Sequence, residues 1–470
     1  MLRKVLLASW LLLAGCGGGG GGVPEPTPSA VEPPAQAAGC DGGCADSVPG
    51  LSADEVRRVL AQGIAQAQAL GVDATIAVVD RVGNVLGVHR MAEQSAAVTI
   101  ATDQPVSIDG GLEGLVLPAG TAGDAVAAIA KAVTGAFLSS EGNAFSTRTA
   151  NQIVQEHFNP GELNQPSGPL FGVQFSQLAC SDFTLSGDPD AVAPGPQRSP
   201  LGLSADPGGF PLYKQGTPVG AVGVMADGLY GIDRNLLDRD DAVDERIALA
   251  ATFGFAAPAE RQADVITVEG KTLRFSDVDF EDLSVDPAQA TPYADLVDAG
   301  SLVTVPGYTA ARIRGGTRFG QPGSGIVPAT DYSAEDAFTF VDAAGAPRFP
   351  IREGTETGGV AASPLQADEV DQLLRSALGI ANRARAQIRR PRGTAARVTV
   401  SIVDTRGEIL GMLRSRDAPI FGADVSLQKA RTATLFSSRD AGDFLGGIAE
   451  PARYLNPDLS AKATSSIPDY

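Results

Sequence analysis

The stretch Thr75–Arg90 reads TIAVVDRVGNVLGVHR, and it returns as Thr399–Arg414, TVSIVDTRGEILGMLR. Each copy reads as two β-branched strands joined by a short turn. Gly83 or Gly407 relieves the turn, and Asp80 or Asp404 stands where a carboxylate accepts hydrogen bonds from turn amides. On the N-terminal side, LSADEVRRVL (51–60) is matched by LQADEVDQLL (365–374). The first of these predicts a helix: Ser52 and Glu55 form a capping box, Val56, Leu60, Ile64 and Ala67 an apolar stripe, and Gly71 a left-handed stop. On the C-terminal side, Lys131-Ala-Val-Thr134 and Ser139-Ser140 recur as Lys429-Ala-Arg-Thr432 and Ser437-Ser438, and a second helix is predicted from Ala125 to Leu138. Four blocks in one order define an internal repeat of helix, hairpin and helix. The fold class expected is α+β, an antiparallel sheet flanked by helices, in two modules.

The 470-residue chain carries 55 acidic and 36 basic residues, a net charge of -19. That balance argues against nucleic-acid binding, which needs cations clustered on one face. Two histidines, His89 and His157, exclude a three-His metal site. No G-x-S-x-G elbow is present, and Gly315-Gly316-Thr317 lacks the lysine of a phosphate loop. Lysine is scarce, with six in the chain, yet Lys131 and Lys429 occupy equivalent places in the repeats. Either a shared structural role or a ligand contact accounts for that. The acidic run Asp233, Asp238, Asp240, Asp241, Asp244 and Glu245 reads as a solvated helix start, because its spacing does not fit an EF-hand loop. Arg383, Arg385, Arg389, Arg390 and Arg392 form a basic stretch suited to a carboxylate-bearing ligand, an anionic headgroup or an acidic face of another copy, with a solvated helix face as the alternative.

Arg3 and Lys4 precede the apolar run Val5 to Leu13, too short to span a bilayer but long enough for a signal-peptide core. The following Leu13-Ala14-Gly15-Cys16 resembles a bacterial lipoprotein signal. This implies removal of residues 1–15, acylation of Cys16 and a lipid anchor in the cell envelope, with Gly17 pointing to the outer membrane. Residues 16–49 form a Gly/Pro-rich tether. Cys40 and Cys44 at its end are candidates for a local disulfide, and pairing of one of them with Cys180 stays open.

The order of the repeated blocks resembles the GlcG/HbpS family of haem-binding and haem-degrading proteins, which includes the C-terminal domain of PduO-type proteins. Gly208–Leu212 (GGFPL) and Val219–Val224 (VGAVGV) resemble that family's closing hairpin, and Asp240-Asp241 with the helix through Ala248 resembles its final helix. On this resemblance module 1 spans 50–255 with an insertion at about 140–206, a connecting region spans 256–362, and module 2 spans 363–470 without a closing hairpin. Its sheet is then expected to expose unpaired edges. Val265–Glu269 is strand-like, and the rest of the connecting region carries no motif read here.

The resemblance implies profilin-like α-β layers, haem as cofactor and a homo-oligomer. A tetrapyrrole site needs an apolar slot, cations for the propionates and an axial ligand. The candidates are His89, Arg90, Met91, Lys131 and Thr134 in module 1 and Arg414, Lys429 and Thr432 in module 2. His89 is the axial candidate, and Leu413 stands in its place in the second copy. Where family members carry Arg-Met-Asp, this chain has Arg90-Met91-Ala92 and Arg414-Ser415-Arg416-Asp417. The function expected is a membrane-anchored extracytoplasmic haem-binding protein serving storage, sensing or degradation. The alternatives are a non-catalytic assembly lipoprotein and a binder of small carboxylates.

Overall fold

The computed structural model describes residues 39–102, 112–155, 158, 167–182, 194–356 and 363–446. Cys16, the rest of the lipoprotein signal and His157 lie outside the described residues.

Module 1 opens with α1 (Ala53–Leu70), held by the expected Ser52/Glu55 capping box and stopped by Gly71 at φ 72°. The hairpin β1 (Thr75–Asp80) and β2 (Val85–Arg90) follows, then β3 (Val98–Ala101), β4 (Val116–Leu117), α2 (Gly123–Leu138) and α3 (Thr147–Ile153). The closing hairpin is β5 (Gly209–Lys214) and β6 (Thr217–Met225), followed by β7 (Leu229–Gly231) and α4 (Val243–Ala251). The sheet places β6 beside β1 in antiparallel register from Thr75↔Met225 to Asp80↔Gly220, with β5 outside it. A Cβ on Gly223 would fall 2.2 Å from the Ala128 carbonyl oxygen and 2.4 Å from the Ala132 nitrogen, so β6 lies directly on the α2 backbone. That close approach requires glycine. The opposite face receives α1: a Cβ on Gly63 would fall 2.9 Å from Ile76 Cδ1.

The region between the modules adds strands to both sheets. After a short hairpin of β8 (Thr267–Val268) and β9 (Lys271–Thr272), β10 (Ser301–Leu302) pairs antiparallel with β2 and extends the first sheet to the order β10-β2-β1-β6-β5. β11 (Ile326–Pro328) and β12 (Ala337–Phe340) join the second sheet instead. Module 2 supplies α5 (Ala367–Arg383), β13 (Thr399–Val403), β14 (Ile409–Ser415), α6 (Gly422–Phe436) and α7 (Ala441–Gly446), and its sheet runs β11-β12-β14-β13.

The two hairpins are anchored alike. Asp80 accepts from the amides of Val82 and Asn84, and Asp404 from those of Arg406 and Glu408. Each carboxylate also clamps a threonine from the intervening region. Thr317 donates its amide (3.0 Å) and hydroxyl (2.7 Å) to Asp80, and Thr355 donates the same pair (3.1 and 2.6 Å) to Asp404. These threonines close a repeated pentapeptide, IRGGT (313–317) and IREGT (351–355). Arg314 donates to the carbonyls of Leu86 and Val85, and Arg352 to those of Leu410 and Ile409. Gly316 and Gly354 donate to the carbonyls of Leu51 and Leu365, which are themselves repeat equivalents. The region is thus two straps, one per module.

The modules meet around Asp417, which is fully buried. It accepts from Arg81 Nη2 of the first hairpin turn (2.7 Å), from Arg389 Nη2 (2.6 Å) and from the Glu141 amide (3.0 Å). Burial alone would push this carboxyl up, but Arg389 and Arg81 hold it below the ordinary aspartate range. Removing a buried carboxylate leaves its guanidinium partners uncompensated, which costs about 3–5 kcal/mol. Asp417→Ala is therefore expected to lower the unfolding free energy by about that amount in guanidinium titrations. A loss below about 1 kcal/mol, the surface-pair range, would show that the modules do not depend on this contact.

Candidate functional site

Alternation along β2 separates the residues that the sequence groups together. Arg90 points to the α2 face, where Nε and Nη2 each lie 2.6 Å from an Asp124 carboxylate oxygen, with Thr75 donating to the same group. His89 points to the α1 face and is buried. Its Nε2 donates to the Ala299 carbonyl and its Nδ1 accepts from the Tyr293 hydroxyl, both at 2.8 Å. Burial lowers its pKa, so the neutral ring is favoured. Both nitrogens are engaged by protein atoms, so the imidazole offers no free ligand position in this arrangement. Met91 packs half-buried against the core.

Lys131 is fully buried, with Nζ 2.5 Å from Asp206, 2.6 Å from Asp244 and 2.9 Å from the Pro207 carbonyl. Thr134 accepts from the Ser204 amide at 2.6 Å. These two residues pin the chain entering β5. In module 2, Lys429 and Thr432 are exposed on α6. Arg414 is fully buried beside the rings of Phe319 and Phe340, donates to the Ala418 carbonyl and is brought down to about 9 by burial. The eight candidates do not converge on one site.

A cleft of about 530 Å³ does form between α1 and residues 287–294. Asp54, Arg57, Arg58, Ala61 and Gln62 supply one wall, and their spacing puts them on one helix face. Pro287, Ala288, Ala290, Pro292 and Tyr293 supply the other, with Phe253 between. Gln62 is 3% exposed, and its Oε1 has no protein partner among the described residues. The Arg58 guanidinium stacks 4.3 Å above the Phe255 ring. Burial pushes the Tyr293 phenol up to about 12, with Arg57 acting against it. The cleft therefore combines apolar walls, two cations, a buried amide oxygen without a partner and a phenol backed by a neutral imidazole. None of Arg57, Arg58, Gln62 and Tyr293 was singled out by sequence, since 287–294 carries no motif and α1 reads only as an amphipathic helix.

Two acidic groups resemble metal sites without needing an ion. Asp233, Asp240 and Asp277 surround Arg148 Nη1 at 2.8, 3.0 and 3.3 Å, and Glu245 takes Arg148 Nη2 at 2.8 Å. A guanidinium fills the place a cation would take. This corrects the solvated helix start expected for that run: Asp244 and Glu245 are buried because Lys131 and Arg148 neutralise them. In the other group, Cys40 and Cys44 are joined by a disulfide, and Glu141 accepts from the Gly42 and Cys44 amides. Cys180 is free and exposed.

No family model and no curated protein matches the chain. Among solved structures, the chain is similar to a PduOC:heme complex at 14% identity, over 44% of this chain and 95% of that one, with a TM-score of 0.26. It is also similar to the Klebsiella pneumoniae protein ORFY, a DUF336 protein, at 18% identity over 44% of this chain and 90% of that one, with a TM-score of 0.25.

Burial pushes Asp206 up to about 7 and Asp244 up to about 6. A carboxyl whose folded pKa is raised binds its proton more tightly in the folded state. The stability it contributes is complete below the unfolded value near 4 and is lost as pH rises through the folded value. The unfolding free energy is expected to fall by a few kcal/mol, roughly, between about pH 4 and pH 7. Asp206→Asn should flatten that slope. An unchanged slope in the variant, followed by denaturant titration across this range, would remove Asp206 as its source.

Proposed function

We propose that the cleft between α1 and residues 287–294 binds haem or a related carboxylate-bearing tetrapyrrole. The observation that carries this reading is the Tyr293 hydroxyl, on a residue of the cleft wall, donating to a buried neutral His89. Haem supplies a planar apolar macrocycle, two carboxylates and an iron that accepts an axial oxygen ligand. The residues present fit it. The volume lies within the range of roughly 300–1,000 Å³ typical of small-molecule sites. Pro287, Ala288, Pro292 and Phe253 give apolar contact, Arg57 and Arg58 give cations for the carboxylates, and Gln62 gives a buried amide oxygen without a partner.

In this reading Tyr293 would hold the iron through its phenol oxygen, with His89 hydrogen-bonded behind it. The Tyr293 hydroxyl donates to His89 Nδ1 at 2.8 Å, and the Nε2 bond to the Ala299 carbonyl fixes the tautomer that accepts it, so the pair would hold the phenol in place beside a bound group. The sequence reading of Cys16 as a lipid attachment site adds that this binding would take place at the surface of an envelope membrane. Cys16→Ala should then release the protein from the membrane fraction.

Haemin titration of the purified chain is expected to give a saturable Soret band at micromolar haemin. Tyr293→Phe should weaken binding about tenfold or more, corresponding to about 1.4 kcal/mol, and change the spectrum of the complex. Arg57→Ala and Arg58→Ala should weaken it with the spectrum preserved. No Soret change at micromolar haemin sinks the proposal. A melting-temperature rise with small dicarboxylates in that case would favour the carboxylate-binding alternative.

A further inference from the structure

Glu141, just past the end of α2, is 0% exposed, yet no lysine or arginine lies within ion-pair distance of it among the described residues. Arg81 and Arg389 reach the same junction, but both pair with Asp417. A buried carboxylate without a countercharge is costly. Asp206 and Asp244 share Lys131, and Asp277 and Glu245 share Arg148. Glu141 has two sulfurs beside it instead: one of its oxygens and the Sγ atoms of Cys40 and Cys44 all lie within 4.8 Å of one another. Asp80 and Asp404 also lack an ion-pair partner among the described residues, but neither groups with a cysteine or histidine there.

The carboxylate is held as a metal ligand would be. Oε2 accepts from the Gly42 amide at 2.6 Å and the Cys44 amide at 3.2 Å, and Oε1 accepts from the Thr217 hydroxyl at 2.8 Å. Hydrogen bonds of this kind behind a ligand aim it and tune its basicity. Two of them come from the loop that carries the cysteines, so loop and carboxylate form one unit. Cys40-x3-Cys44 falls within the C-x2–4-C spacing that zinc sites use. Tetrahedral zinc, at about 2.3 Å from sulfur and about 2.1 Å from oxygen, sets its donors roughly 3.5–3.8 Å apart. The bond between the two sulfurs is what keeps an ion out of this group.

We propose that reduction of Cys40–Cys44 opens a site for a zinc-class divalent cation, with Cys40, Cys44 and Glu141 as its three protein ligands. A dithiol reductant supplies two electrons and two protons, the S–S bond breaks to two thiols, and the cation displaces both protons to solvent as it binds the thiolates. A small disulfide reverses this. It takes two electrons from the thiolates, which re-form their bond and release the cation, and with two protons it becomes two thiols. Three protein ligands leave a fourth position for water, as in exchangeable sites rather than closed structural ones. The metal content of the chain then follows the thiol–disulfide state of its surroundings.

The test uses the full chain and Co2+ as a spectroscopic stand-in for zinc. Chain reduced with a phosphine, then freed of it by gel filtration, is expected to show a thiolate-to-cobalt charge-transfer band and the visible bands of tetrahedral coordination. Zn2+ should abolish both, glutathione disulfide should release the Co2+, and the unreduced chain should show neither band. Thr217→Val, which leaves all three ligands in place, should weaken Co2+ binding about tenfold or more. Glu141→Gln should weaken it at least as much, and Thr217→Val carries this arm if Glu141→Gln does not fold by circular dichroism. Absence of the bands in the reduced chain overturns the proposal. So does their persistence when Cys40 and Cys44 are both replaced by serine, which would assign them to Cys16 or Cys180. Unchanged affinity in the folded carboxylate-arm variants overturns it as well.

Discussion

Two buried carboxylates, Asp80 and Asp404, hold this architecture in register. Each closes a hairpin turn by accepting turn amides, and each spends its remaining oxygen on a strap threonine. Burial would raise the Asp404 carboxyl, yet donation from Thr355 and from the Glu408 and Arg406 amides holds it below its ordinary value. A carboxylate accepting several such bonds stays ionised without a cation beside it. The strap through Thr317 is what brings the region between the modules back across β2. From Tyr293 beside His89 the chain runs through β10 along β2, from its Arg90 end to Leu86, before reaching that strap. The proposed binding cleft and the Asp80 clamp thus lie at opposite ends of one stretch of chain.

The repeat made the hairpins, the flanking helices and their caps legible, because each has a local physical signature. The straps were harder to find. IRGGT and IREGT are five residues long, and their meaning lies in bonds to Leu51, Leu86, Leu365 and Leu410, far away in sequence. One strap follows its module and the other precedes it, so a search for blocks in a common order passes over them. The candidate site failed for a different reason. His89, Arg90 and Met91 look like one cluster in a string of letters, but a strand sends neighbours to opposite faces. His89 is kept in a supporting role, while Tyr293 lies in a segment whose short helical turns carry no periodicity.

Charge in this acidic chain is organised around a few buried cations. Arg148 serves four carboxylates, Lys131 serves two, and Arg81 and Arg389 share Asp417. Removing one partner from such a group strands the others in a low-dielectric interior, so these clusters fix which segments must meet more than they add net stability. The scarcity of lysine acquires a structural meaning here. A point charge on a flexible stem can reach Asp206, Asp244 and the Pro207 carbonyl together, a set that does not suit the planar fork of arginine.

The same lysine marks where the two modules part. In module 1 it is sealed beneath the closing hairpin, and the sheet it serves is complete on both edges. In module 2 its equivalent keeps the lysine, the helix and the hairpin while the covering segments are missing among the described residues. The straps are common to both: each module has its β2-type edge covered by the intervening region, whereas among the described residues β6 flanks β1 and no strand flanks the corresponding edge of β13. The two modules thus share one hairpin and one strap, and among the described residues they differ in what packs beside the first strand of the hairpin.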